Sequence, residues 1–217
     1  MPEFLPLFLN LTGRQVLLVG GGPVAASKLT QLRAVGAVVR VVSPEVVDAI
    51  LQSGVHIERR AFIESDVNNV WLVVAAAPPE VNRAVSAAAS ARHVFVNAVD
   101  DPPNATAYLG GVLRRGGLTV AISSEGRAPA LTGLVREALD AVLPDDVSEW
   151  MAIADRERAH WKRSGVPMSD RRPLLLDALN ALYAKRSDPS PANRARQDEG
   201  VDCGDRAQLE AGETVDP

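Results

Sequence analysis

In the stretch QVLLVGGGPVAASKLTQL, residues 15–32, a run of aliphatic residues gives way to three consecutive glycines and then to a segment of helical character. Glycine adds nothing to a core and is the costliest residue to order, so Gly20, Gly21 and Gly22 need a role that a Cβ would spoil. Approach of the backbone to a phosphate is such a role. Gly20, Gly22 and Ala25 fit the spacing G-x-G-x-x-[G/A] between strand and helix, in which the first glycine turns the chain, the second admits a pyrophosphate and the small third residue lets helix pack on strand. The opening of that helix then turns N–H groups and partial positive charge toward the phosphates. A tight glycine turn with no ligand is the alternative that spacing alone leaves open.

The rest of the chain supplies the setting. Short β-branched runs recur at 15–19, 38–42, 70–75, 94–99 and 118–122, each reading as a strand buried on both faces. Helix-compatible segments at 24–35 and 80–91 alternate with the early ones, which predicts right-handed crossovers and an α/β Rossmann-type parallel sheet over residues 1–112. Apolar residues then take helical spacing in three successive stretches, with Pro144 separating the first two and SDRRP placing a cap and a proline at the opening of the third. The expected order is a Rossmann domain at 1–112, a region at 113–145, a small helical domain at 146–187 and a disordered acidic tail at 188–217.

Composition narrows the chemistry. The single cysteine, Cys203, excludes an intramolecular disulfide, and His56, His93 and His160 lack metal-ligand spacing, so no metal site is expected. With 23 Lys and Arg against 27 Asp and Glu there is no broad basic footprint for nucleic acid. No apolar run approaches the roughly 20 residues needed to span a bilayer, and no basic leader precedes the first domain, so a cytoplasmic location is expected.

Ligands of such sheets bind beyond the carboxyl ends of the strands. The expected cofactor contacts are therefore Gly20, Gly21, Gly22, Pro23 and Val24 at the first turn, Ser43 and Pro44 after the second strand, Ala76 after the next, and Asn97 in the last. Ser43 stands where an acid usually holds the ribose 2′-OH, with Glu45 two residues on, and no Arg or Lys follows that strand; NAD is preferred to NADP. In VNAVDDPP, Asp100 is the first candidate for the base that takes a proton when hydride leaves a substrate, although Asp100 or Asp101 could equally cap a turn before the prolines. A second strand-to-helix turn, SSEGRAPAL, sets Ser124 at another group of exposed N–H donors, with Arg127, Arg114 and Arg115 able to grip carboxylates.

Together PLFLNLTGRQVLLVGGGPVAASKLTQLRAVGAVVRVVSPE, VNAVDDP and LTVAISSEGRAPAL resemble the siroheme-synthase dehydrogenase family, the NAD-dependent precorrin-2 dehydrogenases, over about residues 4–145. The resemblance implies oxidation of precorrin-2 to sirohydrochlorin with NAD, on the route to siroheme or cobalamin, by a homodimer joined through the region after the Rossmann domain. It also implies that Asp100 is the catalytic aspartate, that Gly20, Gly21 and Gly22 are the dinucleotide glycines, and that Ser124 is a regulatory or substrate-contacting serine. Some members also insert ferrous ion. Departures fall on the substrate side: Glu125 and Ala128 replace a glycine and a serine of the family segment, and AYLGG at 107–111 lacks the usual proline. Two other readings use the same turn. An NAD-sensing regulatory domain would ordinarily carry an acid where Ser43 stands, and an unrelated reductase would show a tyrosine–lysine pair that Tyr108 and Tyr183 do not form.

Overall fold

The computed structural model describes residues 4–187; the expected acidic tail and Cys203 lie outside the described residues. Five strands make one parallel sheet: β1 (Gln15–Val19), β2 (Val38–Val42), β3 (His56–Glu58), β4 (Leu72–Ala75) and β5 (Phe95–Ala98), in the order β3-β2-β1-β4-β5. The order reverses between β1 and β4, so the loops after these two strands part at the carboxyl edge and open the crevice in which such sheets bind ligands.

Alternation of side chains builds a core on each face. Val16, Leu18, Val39, Val41, Leu72 and Val74 pack with Ala25, Leu29 and Leu32 of α1 (Pro23–Ala34) and Ile50 of the short α2 (Asp48–Leu51). Leu17, Val19, Val42, Val73, Ala75 and Val96 pack on the other face with Val85, Ala88 and Ala89 of α3 (Pro79–Ser90). Near-complete burial of β1 and β4 is what permits uninterrupted aliphatic runs.

After β5 the chain forms a two-stranded hairpin, β6 (Gly111–Arg115) and β7 (Leu118–Ile122), and then α4 (Pro129–Val142). The expectation that 118–122 is buried on both faces is not met. This strand pairs only with β6, outside the main sheet, and its residues stay half-buried or exposed.

Two compact units divide the described chain: residues 4–115 with 119–144, and 116–118 with 145–187. The second holds α5 (Val147–Ser164) and α6 (Met168–Ser187). There Trp150 Nε1 donates to the Tyr183 hydroxyl at 2.7 Å, which donates to Asp146 at 3.1 Å. Pro173 is not in the opening turn of α6, as expected, but inside it: the helix begins earlier, with the Asp170 N–H bonding back to the Pro167 carbonyl at 3.2 Å. Among the described residues no helix is long and apolar enough to cross a membrane.

Candidate functional site: the carboxyl edge of the sheet

The three glycines do three different things. Gly20 has φ +119°, and a Cβ there would lie 2.1 Å from the Ala76 carbonyl oxygen at the β1–β4 divide. A Cβ on Gly21 would lie 1.8 Å from the Glu45 carbonyl oxygen, and the Gly21 carbonyl accepts the Val47 N–H at 2.8 Å. Both positions are closed by the protein itself. Gly22 instead has nothing within 4 Å of its missing Cβ. It is also the N-cap of α1 and offers no side-chain acceptor, so the N–H groups of Val24 and Ala25, ahead of the first intrahelical bond from Ala26, remain for another partner. Pro23 suits the first helical position, having no N–H to leave unpaired. An open cradle before uncapped donors fits the pyrophosphate of a dinucleotide.

A second observation comes from the carboxyl end of β5. Asn97, in β5, is 6% exposed; its Nδ2 donates to the Ala107 carbonyl at 3.0 Å while its Oδ1 is buried without a partner among the described residues. A buried carbonyl left unpaired is costly, and a bound group with N–H or O–H donors would relieve it. At the other end, Ser43 does not present a free hydroxyl. It donates to the Glu45 carbonyl at 2.6 Å and is 8% exposed, which shapes the turn through Pro44.

The two aspartates divide the roles that the sequence leaves open. Asp101 is engaged within the turn without capping it through its side chain: its backbone carbonyl accepts the Asn104 N–H at 3.1 Å, and both carboxylate oxygens accept from the Asn104 Nδ2 side chain, at 3.0 and 2.9 Å. Asp100 lies beside it, exposed, in the left-handed region at φ +56°, and no hydrogen bond or ion pair among the described residues engages its carboxylate. Its position is fixed by β5, whose ladder with β4 continues as the Val99 N–H donates to the Ala75 carbonyl at 2.9 Å.

The SSEGRAP turn comes to this loop. A Cβ on Gly126 would lie 3.7 Å from Pro102 and 3.6 Å from the Tyr108 ring, and the Tyr108 hydroxyl donates to the Pro102 carbonyl at 3.2 Å. Tyr108 thus joins the two loops, a role that no motif announces. Ser124 is occupied: its Oγ accepts the Ala128 N–H at 3.1 Å and lies 3.1 Å from Thr132 Oγ1, ordering the start of α4. The arginines separate. Arg115 pairs with Asp140 at 2.6 Å and also donates to the Leu143 carbonyl, fastening the hairpin to α4. Arg127 is largely exposed and shares Glu125 at 3.1 Å, so the added acid is offset locally. Arg114 is exposed, with no ion pair among the described residues.

Comparison with known proteins agrees with the fold. A model of an NAD(P)-binding family matches residues 7–111, and a model described as sirohaem biosynthesis protein central matches residues 115–141. Siroheme synthase 1 of Yersinia enterocolitica is 38% identical over 187 residues, covering 84% of this chain and 40% of that protein. The chain belongs with the part of siroheme synthases that these matches cover. Siroheme synthase of Pseudomonas fluorescens is likewise 38% identical over 85% of this chain, and the chain spans about 40% of the length of these relatives. The solved structure of "SirC, precorrin-2 dehydrogenase" shares the fold, with TM-score 0.63, 24% identity and coverage of 90% of this chain and 98% of that one. The NAD(P)-binding family match, residues 7–111, spans the whole parallel sheet and the turn that holds Gly22.

Proposed function

We propose that this chain oxidises precorrin-2 to sirohydrochlorin with NAD⁺ as hydride acceptor, a cytoplasmic reaction. The observation that carries this reading is that one sheet edge holds the open phosphate cradle at Gly22, the unpaired buried Oδ1 of Asn97 and the unengaged carboxylate of Asp100. The family match and the fold shared with a precorrin-2 dehydrogenase support it.

When bound, NAD⁺ supplies the hydride acceptor. The chain does the rest. Gly22 and the N–H groups of Val24 and Ala25 hold the pyrophosphate, and Asn97 accepts a hydrogen bond from the nicotinamide end. As hydride leaves a substrate carbon with its electron pair, a proton leaves as well, and Asp100 accepts it and releases it to solvent, to which it is exposed. Arg114 and Arg127 bind carboxylates of the tetrapyrrole, while Arg115 holds the hairpin and Ser124 the loop that carries them.

Ferrous-ion insertion is the second reaction within this proposal: the same Asp100 carboxylate would receive the pyrrole protons that metal displaces. A homodimer also belongs to it, because α4 leaves Leu131, Leu134, Val135, Leu139 and Val142 exposed, the face a second copy would cover. The test is anaerobic turnover of enzymatically generated precorrin-2 with NAD⁺, then addition of ferrous ion. NADH formation with matching sirohydrochlorin absorbance supports dehydrogenation, and a metal-dependent spectral change supports insertion. Binding of NAD⁺ without NADH formation would favour a sensing domain.

A further inference from the structure

Between β5 and the hairpin the chain makes a loop whose two ends meet. At one end the Val99 N–H donates to the Ala75 carbonyl at 2.9 Å and extends the β4–β5 ladder by one residue. At the other, the N–H groups of Thr106 and Ala107 both donate to the Val96 carbonyl at 2.8 Å, and the Thr106 hydroxyl accepts the Val96 N–H at 2.8 Å. Asn97 Nδ2 completes this base through its bond to the Ala107 carbonyl. Asp100 follows directly after Val99, exposed and in the left-handed backbone region. A carboxylate on such a loop is placed only as well as the loop is braced, and a misplacement of about 1 Å can cost a reaction about a hundredfold.

Two side-chain contacts brace the loop. Asp101 and Asn104 bond to each other about the short turn at Pro102–Asn104. Tyr108 supplies the second. Its hydroxyl reaches back to the Pro102 carbonyl at 3.2 Å, the same oxygen that accepts the Ala105 N–H at 3.1 Å. The ring is itself held: Phe4 stacks on it, with centroids 4.6 Å apart and planes at 25°, and a Cβ on Gly126 would lie 3.6 Å from it. A packed tyrosine has only two side-chain torsions to fix, so it delivers its hydroxyl to one place at small entropic cost. The segment AYLGG, where this chain departs from the usual family sequence, thereby has a use. It carries Tyr108, and at Gly110 it comes so close to the end of β7 that a Cβ would lie 2.0 Å from the Ile122 carbonyl oxygen.

We infer that Tyr108 is a positioning residue for the dehydrogenation: through Pro102 it fixes the loop that carries Asp100, so that the carboxylate need not be ordered anew at each turnover. This rests on the role proposed above for Asp100 and adds the group that holds it in place. Tyr108 acts through the loop and not on the reacting atoms.

The experiment compares the full chain with Tyr108→Phe, Asp100→Asn and the double variant in anaerobic oxidation of enzymatically generated precorrin-2 by NAD⁺, with NADH binding and thermal unfolding measured on the same samples. Tyr108→Phe keeps the ring and its stack on Phe4 and removes only the hydroxyl. The expected result is a fall in kcat of about fivefold, the size of one neutral hydrogen bond, with KM for precorrin-2, NADH affinity and melting temperature nearly unchanged. In the Asp100→Asn background the same substitution should cost nothing further, because a positioning residue is silent once the group it positions is gone. An equal fall in both backgrounds would overturn the inference, since Tyr108 would then act apart from Asp100. So would an unchanged kcat with a lower melting temperature, which makes the brace structural alone, or a raised KM with kcat unchanged, which makes Tyr108 a substrate contact. In each of these cases a slow Asp100→Asn shows that the role of Asp100 stands. If Asp100→Asn turns over at the wild-type rate, that role fails and the inference falls with it.

Discussion

Gly22 differs from Gly20 and Gly21 in what its missing Cβ would meet, and this separates binding from folding within three adjacent residues. Gly22→Val is expected to keep the fold and weaken NADH binding by at least about tenfold, because the new side chain enters the space before the α1 donors. Gly20→Ala instead meets the Ala76 carbonyl from a left-handed backbone and is expected to cost about 2 kcal/mol of stability or more. Fluorescence titration and thermal unfolding of the two variants should show opposite patterns. The arginines separate in the same way: Arg115→Ala, which strands Asp140 and the Leu143 carbonyl, should lower the melting temperature, whereas Arg114→Ala should raise KM for the tetrapyrrole and leave melting unchanged. The motif was legible in the sequence at this scale, but the division of labour was not. Which glycine is closed and which arginine is spent depends on partners about twenty to sixty positions away in the chain.

Among the elements, β1, β2, β4 and β5 were legible because burial on both faces demands aliphatic runs, and α1 and α3 because they lie between them. β3 was not, since His56 and Glu58 break the pattern and its three residues form an edge held by charge. That charge network has a measurable consequence. Burial would raise the Asp66 carboxyl, but the Arg60 guanidinium, the Ile63 N–H and Arg40 outweigh it and hold the pKa down to about 2 from its ordinary 3.8; Arg40 and then Arg60 likewise lower Glu58. A depressed carboxyl stabilises the fold above its unfolded pKa, and that stabilisation is lost as pH falls through the folded value. Asp66 should therefore contribute about 2 kcal/mol at neutral pH that disappears between about pH 4 and pH 2. Asp66→Asn should lower neutral stability and flatten this acid limb in urea unfolding followed against pH.

For the molecule as a whole, the Rossmann fold and the helical segments after it were legible, while the hairpin was half so: β6, with Gly111, Arg114 and Arg115, carries no strand pattern of its own. The surface of α4 belongs to the proposed homodimer, since Leu134 at 64% and Val142 at 78% exposure are left uncovered among the described residues. Leu134→Asp with Val142→Asp should leave NADH binding intact and convert a dimer to a monomer in sedimentation; an unchanged mass would remove α4 from the interface.

The account turns on Asp100, a carboxylate that nothing in the described chain engages, at the edge where dinucleotide and tetrapyrrole would meet. The direct test compares wild type and Asp100→Asn in anaerobic oxidation of precorrin-2, with NADH binding measured on the same samples. The account predicts NADH formation by the wild type, a fall of at least about a hundredfold in the variant and unchanged dinucleotide affinity, as expected when a proton acceptor alone is removed. A variant that forms NADH at the wild-type rate would contradict it.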